Sequence, residues 1–122
     1  RDHDIVVSFG SDAPCTTPDP IAWMDRAVNN GNAGQAVSVQ DALRMCTYNG
    51  AWAAFDEQER GSLEAGKIAD MAVLTENPYT VPQDKLSCLR VERLYLGGKP
   101  YESCRENILP MMLRGLTSRN KA

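Results

Sequence analysis

The residues able to do chemistry are few and far apart. Asp12 ends the run "VVSFGSD", where apolar, β-prone residues stop on a carboxylate. A lone charge at the end of a buried strand is costly unless something pairs with it, and no partner lies nearby in the sequence. The plainer alternative is a carboxylate that caps a helix or closes an Asx turn in the proline-rich loop "SDAPCTTPDP". The cysteines, Cys15, Cys46, Cys88 and Cys104, are widely spaced, with no CxxC pair and no histidine at ligand spacing. That argues against a zinc ribbon or finger. Cys46 lies on a helical face, where a thiol serves as a small hydrophobe. Free thiols fit a reducing, cytoplasmic setting. The single histidine, His3, precedes the strand and reads as a solvated loop residue rather than a ligand.

The elements that must position these residues follow from pattern. "DIVVSFG" (4–10) reads as a short buried strand carried by Ile5, Val6, Val7 and Phe9. Asp19 and Pro20 then open a helix, with Asp19 as cap and Ile21, Met24, Ala27 and Val28 on one face. Ser38 caps a second helix, with Asp41 three residues on as a weak capping box and Val39, Ala42, Leu43 and Cys46 at helical spacing. A break at Asn49-Gly50 precedes a further short helix, and Trp23 and Trp52 sit on helix faces as core residues. "KIADMAVLT" (67–75) reads as a strand with Ile68, Met71 and Val73 turned inward. "LRVERLYLGGKPYES" (89–103) alternates around Gly97-Gly98, a hairpin signal. The tail from Arg105 reads as an amphipathic helix broken near Pro110, or as a docking arm.

The chain has 122 residues, about one small domain, and 43% of them are apolar, enough for a core. The net charge of −3 and the lack of a basic run exclude nucleic acid as the expected partner. No apolar stretch is long enough to span a bilayer and no signal segment opens the chain, so no membrane is expected. The order strand, helices, strands reads as α+β for the isolated chain. A lone strand–helix unit at the front cannot close a core, and the chain opens on Arg1 rather than methionine. Together these features suggest a piece of something longer.

Four stretches, "FGSDAP", "PDPIAWMDRAV", "SVQDALRMCTYNGAWA" and "RGSLEAGKIADMAVLTENP", together resemble the C-terminal end of the amidohydrolase superfamily. The resemblance is strongest to the YtcJ-like, or amidohydrolase-3, branch, which includes N-substituted formamide deformylases and proteins labelled exoenzyme regulatory. It runs from about Ile5 to Tyr101. "GSLEAGKIADMAVL" is its most specific piece, with Gly61, Gly66, Lys67, Ala69 and Asp70 at the family spacing. The resemblance implies a metal-dependent hydrolase of C–N bonds on a (β/α)8 TIM barrel, flanked by a β-sandwich built from both chain ends. Residues 1–57 would be the last barrel strand and closing helices, 58–104 the C-terminal sandwich strands, and 105–122 a tail.

In that reading Asp12 is the catalytic aspartate that touches the metal and the attacking water. Cys15, in the following loop, could line the substrate pocket, and Ser11 is either a turn residue or a pocket neighbour. Asp70 and Lys67 would be structural. The expected cofactor is a divalent metal, zinc first, held in the intact protein and not by this stretch alone, because a catalytic zinc wants about three protein ligands. The expected partners are the remainder of the same chain, a small amide-type substrate and further copies of the protein. Without the missing strands, Ile5, Val7, Phe9 and Trp23 would expose apolar surface, and the stretch alone would be inactive. A different class remains open: a non-catalytic binding or regulatory module on the same scaffold. An independent small α+β domain would leave the long "GSLEAGKIADMAVL" match unexplained.

Overall fold

Among the described residues, three helices precede a three-stranded sheet, and a short 3-10 helix lies between the sheet's first two strands. A computed structural model describes residues 5–101. His3, Cys104 and the tail from Arg105 lie outside the described residues.

Helix α1 spans Pro20–Val28. Its start is local chemistry: Asp19 Oδ1 accepts the amides of Ile21 (3.1 Å) and Ala22 (3.2 Å), and Pro20 stands where its missing N–H costs nothing. Asn29 ends the helix and binds onward, donating its side-chain amide to Asp25 Oδ1 (2.9 Å) and to the Gln83 carbonyl (2.7 Å). Helix α2 spans Val39–Cys46 and α3 spans Tyr48–Ala53. Ser38 Oγ accepts the Asp41 amide at 3.1 Å and donates to Asp41 Oδ2 at 2.7 Å, so the shortened capping box is real. The break between α2 and α3 falls at Thr47, not at Asn49-Gly50, both of which lie inside α3. Thr47 has φ −126° and ψ −93°, and its hydroxyl donates to the Leu43 carbonyl at 2.8 Å, which closes α2.

The core joins the two halves of the chain. Met24 and Val28 of α1 and Ala42 of α2 meet Leu86, on the 3-10 helix Gln83–Cys88, and Leu89 just after it. Leu86 is 0% and Leu89 1% exposed. Phe9, Ile21, Val37, Val39, Leu43 and Val81 pack around them. This 3-10 helix lies in a stretch that reads from composition as a loop. Leu86 and Leu89, three residues apart, turn to one side of it and bury against α1.

Strands β1 (Met71–Leu74), β2 (Val91–Leu96) and β3 (Lys99–Pro100) form an antiparallel meander. Gly97 and Gly98, at φ 56° and 75°, make the hairpin turn read from the sequence, because two successive left-handed residues match the twist of paired strands. Met71 faces Tyr95, Ala72 faces Leu94 and Val73 faces Arg93; the register then slips before Leu74 meets Val91. Ile68 (36%) and Val73 (41%) are exposed rather than inward, because no helix among the described residues lies against either sheet face. Residues 5–10 are likewise not a strand, since among the described residues no strand lies beside them to form a ladder. Ile5 (73%) and Val7 (48%) are open, while Phe9 and Trp23 are half-buried against each other, ring centroids 6.3 Å apart. Trp52, expected in the core, is 46% exposed.

Leu86→Ala should cost about 2–5 kcal/mol of stability, whereas Val73→Thr should stay within about 0.5 kcal/mol. Urea unfolding midpoints of the two variants check the contrast; equal losses would show that the core is not where Leu86 sits. Gly61→Ala should also destabilise. Gly61 has φ +88°, and a Cβ there would lie 2.6 Å from the Ala51 Cβ and 3.1 Å from the Tyr48 Cα.

Candidate active site

The loop carrying Asp12 is stitched to itself. The Ser11 hydroxyl accepts the Ala13 amide at 3.2 Å, the Asp12 carbonyl accepts the Cys15 amide at 2.8 Å, and the Thr16 hydroxyl donates to the Ser11 carbonyl. Asp12 sits at φ 49°, a left-handed conformation that aspartate tolerates better than most side chains. Its carboxylate is exposed and has no hydrogen bond or ion pair among the described residues. Cys15 is exposed in the same turn. The backbone contacts thus hold Asp12 and Cys15 in one tight turn and leave the Asp12 carboxylate free to act on something outside it.

Both stems of the loop are tied to the corner between α2 and α3. On the entry side, the Phe9 amide donates to the Met45 carbonyl at 3.1 Å and the Asn49 side-chain amide donates to the Val7 carbonyl at 2.7 Å. On the exit side, the Cys46 thiol lies 3.7 Å from the Pro20 carbonyl. Burial pushes the Cys46 thiol up to about 11, so it stays protonated at neutral pH and serves as packing. Asn49 is the residue that sequence reasoning missed. Its place before Gly50 reads as a turn signal; in the structure it spends its side chain on a residue 42 positions earlier.

The other candidate carboxylate does different work. Asp70 accepts the Gly97 amide at 2.8 Å and pairs with Arg60 at 3.3 Å, fastening the hairpin turn to the segment before β1. Lys67 donates to the Glu57 carbonyl (2.7 Å) and the Ser62 hydroxyl (2.6 Å). Ser62 in turn donates to Glu64 at 2.7 Å, and this bond, with the Lys67 charge, holds the exposed Glu64 carboxyl below its ordinary range. The motif "GSLEAGKIAD" is therefore a folding knot: its glycines turn the chain and its charged groups close the turn.

Among the described residues no three of His, Cys, Asp and Glu come together as a metal ion requires. Asp12 alone does not fit a catalytic metal, which needs about three protein ligands. A groove of about 350 Å³ runs along Val91–Tyr95 and Tyr101, with no residue of the Asp12 loop in its wall. No described helix is long and apolar enough to cross a membrane.

The profile described as the amidohydrolase family matches residues 1–101. Over 104 residues the chain is 39% identical to the N-substituted formamide deformylase of Arthrobacter pascens, a match covering 80% of this chain and 19% of that protein. Over 105 residues it is 28% identical to the YtcJ protein of Bacillus subtilis (strain 168), whose name assigns it to the amidohydrolases; that match covers 78% of this chain and 20% of YtcJ. The chain spans about a fifth of the length of these relatives.

Thiol labelling should separate the cysteines by their surroundings. At pH 8 a maleimide or iodoacetamide should modify Cys15 and Cys88 in the folded chain well before Cys46, and Cys46 should gain reactivity only as pH climbs toward 11. Peptide mapping of the labelled protein checks this; early modification of Cys46 would mean that the α2–α3 corner opens readily.

Proposed function

The chain belongs to the amidohydrolase family, and on that premise we propose that the full protein hydrolyses C–N bonds of small amide-type molecules, N-substituted formamides first among them, with Asp12 as this stretch's contribution to the chemistry. The observation that carries the reading is the 39% identity to a protein named N-substituted formamide deformylase, across 80% of the chain. Asp12 adds support: an exposed carboxylate without a partner among the described residues, on a backbone turned to φ 49°. In hydrolysis the oxygen of water bonds to the acyl carbon and the C–N bond breaks. The Asp12 carboxylate takes the proton that water loses and returns it to the departing nitrogen, so that an acid and an amine leave.

A divalent metal, zinc first, is the proposed cofactor of the full protein; when bound, such a metal lowers the pKa of its water to about 7 and polarises the acyl oxygen. The described residues offer only Asp12 toward it, so the other ligands would come from the remainder of the parent chain, and the isolated stretch would be inactive and metal-free. In the same proposal residues 1–57 would supply, within the full protein, the last strand and closing helices of a TIM barrel, residues 5–10 pairing as a strand only beside the remainder of the parent chain; 58–104 would supply sandwich strands, Cys15 borders the substrate, and the protein works in the cytoplasm.

Asp12→Asn and Asp12→Ala should lower kcat of the full-length protein on N-substituted formamides by about 10²–10⁴-fold with the melting temperature unchanged. Undiminished turnover in Asp12→Asn would sink the reading and favour a non-catalytic binding or regulatory module on the same scaffold. The 122-residue chain by itself should associate into dimers or larger species. Its open apolar side chains include Ile5 (73%), Phe55 (93%) and Leu63 (77%). Light scattering that finds a clean monomer at micromolar concentration would count against it.

A further inference from the structure

We propose that Asn49 is a positioning residue for Asp12, the anchor of a clamp by which the α2–α3 corner holds both stems of the Asp12 loop. The inference rests on the reading of Asp12 as the working carboxylate. Three residues of the corner, Met45, Cys46 and Asn49, meet the stems at Phe9, Pro20 and Val7. These contacts bracket the segment from Gly10 to Asp19.

The entry-side contacts have a definite geometry. In an extended chain the carbonyl of one residue and the amide of the residue two further on point to the same edge. The Val7 carbonyl and the Phe9 amide stand in that relation, and the helix corner meets both, at 2.7 and 3.1 Å. The corner therefore does at this edge what a neighbouring strand would do. The Met45 carbonyl accepts from Phe9, and the Asn49 side-chain amide supplies the matching donor. Asparagine carries that N–H on a short stem with little rotamer freedom to lose.

The consequence for Asp12 is orientation. From Phe9 to Asp12 is three residues, and the loop beyond is closed by its own hydrogen bonds. A shift at Val7 or Phe9 therefore moves Asp12 with the loop rather than being absorbed within it. A misplacement of about 1 Å at a reacting group costs about 10²-fold in rate. Losing one of three contacts should cost less.

The test uses the full-length protein and N-substituted formamides, with Asp12→Asn measured alongside Asn49→Ala. Asn49→Ala should lower kcat about tenfold and leave KM within about twofold, with melting temperature and metal content as in the wild type, and it should cost less than about twofold when added to Asp12→Asn. A merely structural role would scale the active fraction and cost the same, about tenfold, in both backgrounds, and this result overturns the proposal. If Asp12→Asn lowers turnover as expected while a folded Asn49→Ala keeps the wild-type kcat, the clamp is wrong and the function stands. Undiminished turnover in Asp12→Asn, or a wild type that hydrolyses none of the formamides, removes the functional reading and the clamp with it. Should Asn49→Ala fail to fold, Asn49→Asp, nearly isosteric but without the amide donor, is read by the same criteria. Hydrogen exchange in the wild-type protein decides independently of folding variants: a protected Phe9 amide supports the clamp, and one that exchanges like an open loop overturns it.

Discussion

The contact between Leu86, Leu89 and the inner face of α1 is the constraint on which the other elements rest. Met24 and Val28 meet Ala42 of α2, and the 3-10 helix Gln83–Cys88 brings a second layer back against α1 from more than fifty residues along the chain. Asn29, donating to the Gln83 carbonyl at 2.7 Å, fixes the two elements in register. Full burial of a leucine or methionine side chain stabilises by about 1.5–3 kcal/mol, against roughly 1 kcal/mol for a hydrogen bond, so the apolar contact sets the arrangement and the asparagine refines it. With α1 fixed, α2 packs through Ala42, which at 0% exposure lets the two helices approach closely. The α2–α3 corner is then in place to meet the stems of the Asp12 loop.

The sheet stands apart from that core. Its strands pair through their backbones, and the knot around Lys67 and Asp70 ties their ends to Glu57 and Arg60, in the segment that follows α3. Neither sheet face meets a helix among the described residues, and apolar side chains such as Val73, Val91 and Leu96 stay open. The same holds at the front of the chain for Ile5, Val6 and Val7, and at the end of α3 for Phe55, which stands at φ 60° with 93% of its surface exposed. A bulky side chain in a left-handed conformation is unusual, and an exposed one gains nothing local from it. The chain spans about a fifth of its relatives' length.

The candidate site divides its labour. Short-range hydrogen bonds shape the turn from Ser11 to Thr16, and long-range contacts from Met45, Cys46 and Asn49 hold its ends. None of them consumes the Asp12 carboxylate. That is the arrangement expected of a group whose partner is a reactant, since a carboxylate already paired within the fold has little left to give a substrate. Asp70 is the contrast, with each of its two oxygens engaged by the chain itself.

The sequence by itself determined what short-range chemistry determines. Asp19 and Ser38 as caps, the hairpin at Gly97-Gly98, Cys46 as a packing thiol and the family motif around Gly61–Asp70 were legible, because each depends on residues a few positions apart. Tertiary structure decided the rest. The α2–α3 break falls at Thr47, whose hydroxyl bonds back to Leu43, and Asn49 beyond it serves Val7, 42 residues away, a partner that no local pattern announces. Leu86 and Leu89 became core because α1 offers a face, although their own segment reads as a loop. Ile68, Val73 and Trp52 stayed exposed because burial requires a second layer, and a side chain's apolar character says only that it would be buried if one were there.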